Sequence, residues 1–497
     1  MISVYSNKRM IQKDLNKKMN TAAKWSSLAE ICAKLIAPVT TAVLARLLAP
    51  EAFGVVATLT LVVSFAEVFT DAGFQKYLVQ HQFADEDDLQ ISTNVAFWTN
   101  LTFSLLLWVI IAVFATPITN LVGSPGCEPA VIVMSMQIPL VAFSSIQTAR
   151  YRRDFDFRSL FYAKMATTLV PLVVTVPLAL IFKSYWALVW GTLAKEAMNA
   201  AILTFKSRWK PSLCYRMEKL MEMISFSFWT MIENVTVWIS VNVDVFLVSM
   251  ALSTFHLGLY KTSLSTVNSI MTLITGATMP VLFSALARCQ NDEGEFREVF
   301  YQFQKMVALV VLPMGFGLYI YRELATEILL GSQWVDTADF IGLWSLISAI
   351  SIVFHNFNAS AVISRGRPRL SVLTQMLHIV VLIPVVIYFR HQSYGALTVA
   401  RCLVRFEMIA ASSCVAFFAF RLNVFVSLRN VLPQFTASIV MAAAGAWLRT
   451  LGRGTIYEFF TIFLCCIVYA LCMFLIPGGR KQLYDVPVLK KLLKRGH

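Results

Sequence analysis

Apolar residues in this chain gather into long runs, separated by short stretches that hold most of the charge. A membrane-crossing helix needs about 20 predominantly apolar residues. On that measure the runs predict fourteen helices, at about residues 22–48, 54–80, 90–115, 128–149, 160–182, 185–205, 221–250, 256–287, 299–321, 337–363, 370–389, 394–420, 431–449 and 455–476. An even number of crossings leaves both ends of the chain on one side. The pattern alone therefore predicts an all-α polytopic membrane protein of about fourteen transmembrane helices.

The runs are not uniformly apolar. In the second, Thr60, Ser64, Glu67, Asp71 and Gln75 recur every three or four residues, so they share one helix face. An Asp at mid-membrane costs about 2.5–3.5 kcal/mol on insertion scales. A helix that carries such a line turns it toward water or toward other helices. In the first helix Glu30 and Lys34 stand four apart, the better order for a helical ion pair, and Thr41 continues their face. Lys195 and Glu196 sit late in the sixth helix. The seventh carries Thr230, Glu233, Ser240 and Asp244, and the eighth Thr262, Ser265, Ser269 and Thr272. The tenth carries Ser348, Ser351, His355 and Asn358, and the twelfth Arg401 and Arg405, with Glu407 nearby. Polar lines from both halves predict a hydrated, charged cavity within the bundle. The plainer alternative is ion pairs and hydrogen bonds that only fix helix packing. Pro38, Pro139, Pro177, Pro280, Pro313 and Pro384 fall inside predicted helices, where each permits a bend.

Composition agrees with the pattern. Of 497 residues 58% are hydrophobic and 14% charged, with mean hydropathy +0.67, where a soluble domain carries about 25% charge. The net charge of +14 raises nucleic acid as a partner. The cations lie in short clusters between apolar runs, with no basic face interleaved with aromatics, which excludes that reading. With the N-terminal end taken as cytoplasmic, about 29 Lys and Arg fall in loops and tails on that side and about 7 on the other. This bias is the signature of cytoplasmic loops. No compact apolar core with a small-residue cleavage site follows the early lysines, so no cleavable signal peptide is expected, and Met1, Met10 and Met19 stay open as starts. The nine cysteines form no CxxC pair and read as small buried hydrophobes.

Catalytic signatures are missing. No G-x-x-x-x-G-K-[ST], H-E-x-x-H or G-x-S-x-G occurs. "DEDD" (85–88) resembles a metal cluster but reads as the acidic first turn of the third helix. "DFD" (154–156), set among arginines, reads as a loop charge network. The predicted outer loops reach only about 15 residues, too short for an extracytoplasmic catalytic domain. The chain is therefore read as a non-enzyme. A weak internal repeat joins "LLAPEAFGVV" (47–56) to "ALSTFHLGLY" (251–260), each with a Gly among apolar residues, at an offset of 204. An even number of helices between them would make the halves parallel repeats, one transporter architecture.

Three stretches carry a resemblance: "LARLLAPEAFGVVATLTLVVSFAEVFTDAGFQKYLVQ" (44–80), "LGLYKTSLSTVNSIMTLITGATMPVLFSALARCQND" (257–292) and "LPMGFGLYIYRELATEILLGSQW" (312–334). They resemble bacterial polysaccharide flippases of the multidrug/oligosaccharidyl-lipid/polysaccharide exporter superfamily, in the branch of lipopolysaccharide and exopolysaccharide exporters. The resemblance implies two six-helix lobes in a V plus two further helices. Drawn on this sequence, these are a basic tail (1–21), lobes at 22–210 and 211–425, two helices within 426–479 and a second basic tail (480–497). It implies alternating-access translocation of undecaprenyl-diphosphate-linked oligosaccharide across the bacterial inner membrane, with the polysaccharide polymerase machinery as a candidate partner and both termini cytoplasmic. No catalytic motif is carried over. A buried diphosphate needs cations, which makes Lys34, Arg46, Lys195, Arg401 and Arg405 the candidates. Glu67, Asp71, Glu233 and Asp244 are candidates for coupling or gating, with the ion, H+ or Na+, left open. No cofactor or metal is expected. The alternative is a cation-coupled small-molecule exporter of the same fold.

Overall fold

The computed structural model describes residues 28–482, apart from 71–72, 208, 290–291, 366, 390–391, 453, 477 and 481, together with Thr21 and Trp25. Among them all regular structure is helical. Eleven helices are long and apolar enough to cross a membrane. The chain is a multi-pass membrane protein. The other three predicted ranges also hold helices, Trp186–Lys206, Met217–Ala251 and Thr254–Arg288, each with polar residues in mid-helix. By internal contacts the chain divides into two compact units, Met1–Gly258 and Leu259–His497.

The first unit contains α1 (Leu28–Leu47), α2 (Pro50–Thr70), α3 (Phe74–Gln80), α4 (Glu86–Val113), α5 (Ala115–Leu121), α6 (Glu128–Ser135), α7 (Gln137–Arg153), α8 (Phe157–Val170), α9 (Val176–Phe182), α10 (Trp186–Lys206), α11 (Met217–Ala251) and the start of α12 (Thr254–Arg288). Between hydrocarbon-spanning helices the driving force is packing, because lipid tails are as apolar as Leu. The core therefore mixes large and small side chains: Leu59 and Val63 of α2 lock against Ala130, Val131 and Met134 of α6 and Val189 of α10. Nearer α3, Phe97 sits among Phe74, Ile146, Trp209 and Met223. Local chemistry sets the breaks. Gly73, with φ 84°, separates α2 from α3. Asp85 caps α4 by accepting from the Asp88 N–H at 2.7 Å, so the "DEDD" stretch is a helix start. Pro171–Thr175 forms one π-helical turn between α8 and α9, where proline removes an amide donor.

Two glycines meet within this unit. A Cβ on Gly54 would fall 1.7 Å from the Thr254 carbonyl oxygen, and one on Gly258 would fall 1.9 Å from the Pro50 carbonyl oxygen. They are the equivalent glycines of the weak repeat, and only glycine allows that approach. Gly123 fits similarly under the Ser249 carbonyl.

The α7–α8 corner is unusual in another way. Asp156 N–H donates to the Tyr151 carbonyl at 2.9 Å, closing a six-residue wrap at the end of α7. Its left-handed residue is Phe155, φ 57°, where glycine is the usual occupant. Asp156 then caps α8, accepting from the Ser159 N–H at 3.1 Å and the Ser159 hydroxyl at 2.7 Å. The expected network between "DFD" and its arginines gives way, at Asp156, to a cap.

The second unit continues α12 and adds α13 (Glu293–Ile320), α14 (Arg322–Leu329), α15 (Ala338–Ser351), α16 (Phe357–Ser364), α17 (Pro368–Phe389), α18 (Tyr394–Phe420), α19 (Val424–Leu451) and α20 (Thr455–Leu475). A π turn, Ile352–Asn356, joins α15 to α16. Gly315 of α13 seats Ala349 of α15. Arg449 ties α19 to α14 and α20, with Glu323 at 2.7 Å and Glu458 at 3.6 Å. An apolar groove of about 680 Å³ runs among α13, α14, α19 and α20.

Candidate functional site

Each unit carries its own polar cavities. In the first, the α2 line leads into a pocket of about 340 Å³ lined by Ser64, Glu67, Gln75, Asn100, Ser145 and Asn234. Glu67 is half-buried, and its carboxylate accepts from the Gln137 amide of α7 at 2.9 Å. Ser64 accepts from the Trp238 indole N–H of α11 at 3.0 Å. Asn100 of α4 donates to Ser145 of α7 at 2.9 Å. Two helices, α7 and α11, thus answer the α2 stripe with hydrogen-bond partners, while Thr60 is exposed and bonds back to the Val56 carbonyl. Asp71 lies outside the described residues, as does the side chain of Glu233. Asp244 is 6% exposed on α11, accepts from the Val245 N–H at 2.8 Å, and does not line the Glu67 pocket.

A larger cavity of about 720 Å³ lies among α1, α7, α8 and α10. Its walls carry Thr40, Thr41, Thr148, Thr167, Thr192 and Asn199, with Glu30, Lys164, Lys195 and Glu196. Lys195 pairs with Glu196 at 2.9 Å. Glu30 turns to Lys164 of α8 at 3.9 Å, so the expected pair with Lys34 gives way to a tertiary one. Lys34 is half-buried on α1 but does not line this cavity, and Arg46 is exposed near the end of α1.

In the second unit Arg401 and Arg405, one turn apart on α18, both meet the indole of Trp344 on α15. Their guanidinium carbons stand 5.1 Å and 3.9 Å from the ring centroid. Arg405 also donates to the Ser348 hydroxyl at 2.9 Å. It lines a pocket of about 290 Å³ with Asn268, Thr272, Ser348, Ser351 and His355. The Trp344 N–H donates to Asn268 at 3.4 Å. The π turn at Ile352–Asn356 carries His355, and such turns commonly occur at functional sites. The platform gathers two strong cations around one indole, beside neutral hydroxyls and an amide. That arrangement suits an anion with several oxygens. Trp344, Gln137 and Trp238 escape sequence reasoning, because an aromatic or amide in an apolar run reads as packing. The one available signal is that Trp344 and Ser348 stand one turn apart.

Residues 43–339 match the family described as Polysaccharide biosynthesis protein. The chain is 26% identical over 326 residues to the succinoglycan biosynthesis transport protein ExoT of Rhizobium meliloti, covering 66% of this chain and 65% of that protein, just under two thirds of its length. It is 18% identical to the lipopolysaccharide biosynthesis protein WzxC of Escherichia coli, over 68% of each, and 20% identical to the teichuronic acid biosynthesis protein TuaB of Bacillus subtilis, over 72% of this chain and 73% of that one. Among solved structures it resembles the lipid II flippase MurJ in an inward closed conformation, with TM-score 0.72 and 13% identity over 90% of this chain and 97% of that one. It also resembles an inward-facing multidrug resistance transporter of the MATE family, with TM-score 0.57 and 13% identity over 80% and 96%. The structural likenesses give the fold, and the match over residues 43–339 places this chain in the family described as Polysaccharide biosynthesis protein.

Proposed function

We propose that this chain flips undecaprenyl-diphosphate-linked oligosaccharide repeat units across the bacterial inner membrane by alternating access, for surface polysaccharide synthesis. The observation that carries this reading is the Arg401–Arg405 pair over Trp344, opening on a pocket of hydroxyl and amide groups. A diphosphate brings two negative charges and several acceptor oxygens into a membrane interior. Guanidinium forks meet such groups with charge-assisted bonds. Lys195, in the cavity of the first unit, and Lys34 and Arg46 on α1 are further candidates for contact with the diphosphate or sugar. Glu67 is the proposed coupling or gating carboxylate with a described environment; Asp71, Glu233 and Asp244 are proposed with it. The lobes at 22–210 and 211–425, the extra helices within 426–479, fourteen crossings, cytoplasmic termini and contact with the polymerase machinery belong to the same proposal. The names of the relatives, transport and biosynthesis proteins of cell-surface polysaccharides, support it.

The test is depletion in the native cell, with lipid-linked oligosaccharide quantified by mass spectrometry alongside surface polymer. The complete repeat unit should accumulate on its polyprenyl carrier as surface polymer falls. An unchanged carrier pool with persistent polymer would sink the proposal and favour a small-molecule exporter.

A further inference from the structure

At the basic end of the first unit, three rings gather beside the start of α1. The Trp25 ring centroid lies 5.0 Å from that of Phe161 and 6.2 Å from that of Tyr162, and Phe161 and Tyr162 are 5.6 Å apart. Two cations stand over this platform. The Arg158 guanidinium carbon is 6.0 Å from the Trp25 centroid and 5.8 Å from the Tyr162 centroid. The Lys206 ammonium is 4.8 Å from the same Tyr162 centroid. One tyrosine ring therefore takes a cation from α8 and another from the end of α10. Asp156, two residues before Arg158, caps α8 through Ser159. Among the described residues neither Arg158 nor Lys206 forms an ion pair with a carboxylate.

Arg158, Tyr162 and Lys206 are exposed and lie outside the linings of the cavities above. Phe155 stands exposed in the same corner. Trp and Tyr settle at the headgroup level of a bilayer, and Lys and Arg there attract anionic lipid. A phosphate at this platform would meet a guanidinium fork on one side chain and an ammonium on the other.

We propose that Arg158 and Lys206, on the Trp25–Phe161–Tyr162 platform, hold the phosphate of an anionic glycerophospholipid in the leaflet on that side. The site stands independently of the transport reading, because it is tested without the transported lipid. Full-length protein in detergent is offered equal amounts of phosphatidylglycerol and phosphatidylcholine of matched chain length, and bound lipid is read by native mass spectrometry. Wild type should retain phosphatidylglycerol about fivefold over phosphatidylcholine, and about 0.5 M salt should erase the preference. The double variant Arg158→Gln, Lys206→Gln should fall below about twofold at unchanged thermal unfolding, and Arg158→Lys should restore part of the preference. Tyr162→Leu, which keeps both charges and removes the platform, should lower it as well. A double variant that keeps the full preference overturns the proposal. In a parallel sample offered equal amounts of farnesyl diphosphate and phosphatidylglycerol, retention of the diphosphate in place of the phospholipid also overturns it and assigns the site to an isoprenoid diphosphate.

Discussion

Arg405 lies against the Trp344 ring, donates to the Ser348 hydroxyl and lines the pocket beside them. A cation on an aromatic face gains about 0.5–2 kcal/mol, more as water is excluded. Arg405→Ala should therefore cut surface polysaccharide by tenfold or more at normal protein abundance. Arg405→Lys, which keeps the charge but loses the planar fork, should fall between. Normal export by Arg405→Ala would remove this group from the mechanism. Glu67 offers a cleaner separation of charge from shape. Gln in its place still accepts from Gln137, so Glu67→Gln tests the charge alone. Export should drop about tenfold with abundance unchanged; wild-type export would leave Glu67 a packing residue. Phe155 makes the opposite kind of test. A left-handed backbone costs a non-glycine residue roughly 1–2 kcal/mol, and glycine gives back about 0.5–1 kcal/mol in chain entropy. Phe155→Gly should thus raise the thermal unfolding midpoint modestly, and a lower midpoint would mean that ring contacts outweigh the strain. The candidate residues themselves were legible, since charges stand out in apolar runs. Their partners were not: Gln137 lies 70 residues from Glu67, and Trp238 lies 174 residues from Ser64. Glu30 pairs across the bundle with Lys164, a choice that helical spacing on α1 does not encode.

Helices were the most legible elements, because their length and apolarity are required by the bilayer itself. The interruptions were less so. A π turn at Pro171–Thr175 had a proline to announce it, whereas the turn at Ile352–Asn356 has none. Pro139 and Pro177 fall, as expected, within membrane-length helices, Glu128–Arg153 and Phe157–Phe182, beside the breaks that part α6 from α7 and α8 from α9. At this scale the glycine crossing gives the sharpest prediction. Gly54→Ala and Gly258→Ala each drive a methyl into a carbonyl oxygen, so each should cost about 1–3 kcal/mol in unfolding stability. Gly317→Ala, on α13 with nothing within 4 Å of the new methyl, should be neutral or stabilising by about 0.5–1 kcal/mol. Equal effects at the three positions would discredit the close approach.

At the scale of the whole molecule the charge asymmetry makes a topological claim that one thiol can test. Cys214 is exposed in the segment between α10 and α11, among Lys210, Arg216 and Lys219. In a variant that keeps only this cysteine, a membrane-impermeant maleimide should leave intact cells unlabelled and react fully after permeabilisation. Labelling of intact cells would reverse the orientation and with it the direction assigned to transport.

The meeting of Gly54 and Gly258 has a mechanical meaning. A joint made of two bare backbones has no rotamers to rearrange and no side chain whose size selection can adjust. Helix neighbours point about 100° apart, so a one-residue change of register would turn Phe53 or Leu257 into the seat in place of glycine. A one-residue insertion or deletion between Pro50 and Gly54, or between Thr254 and Gly258, should therefore disable the protein more thoroughly than most substitutions deeper in the bundle.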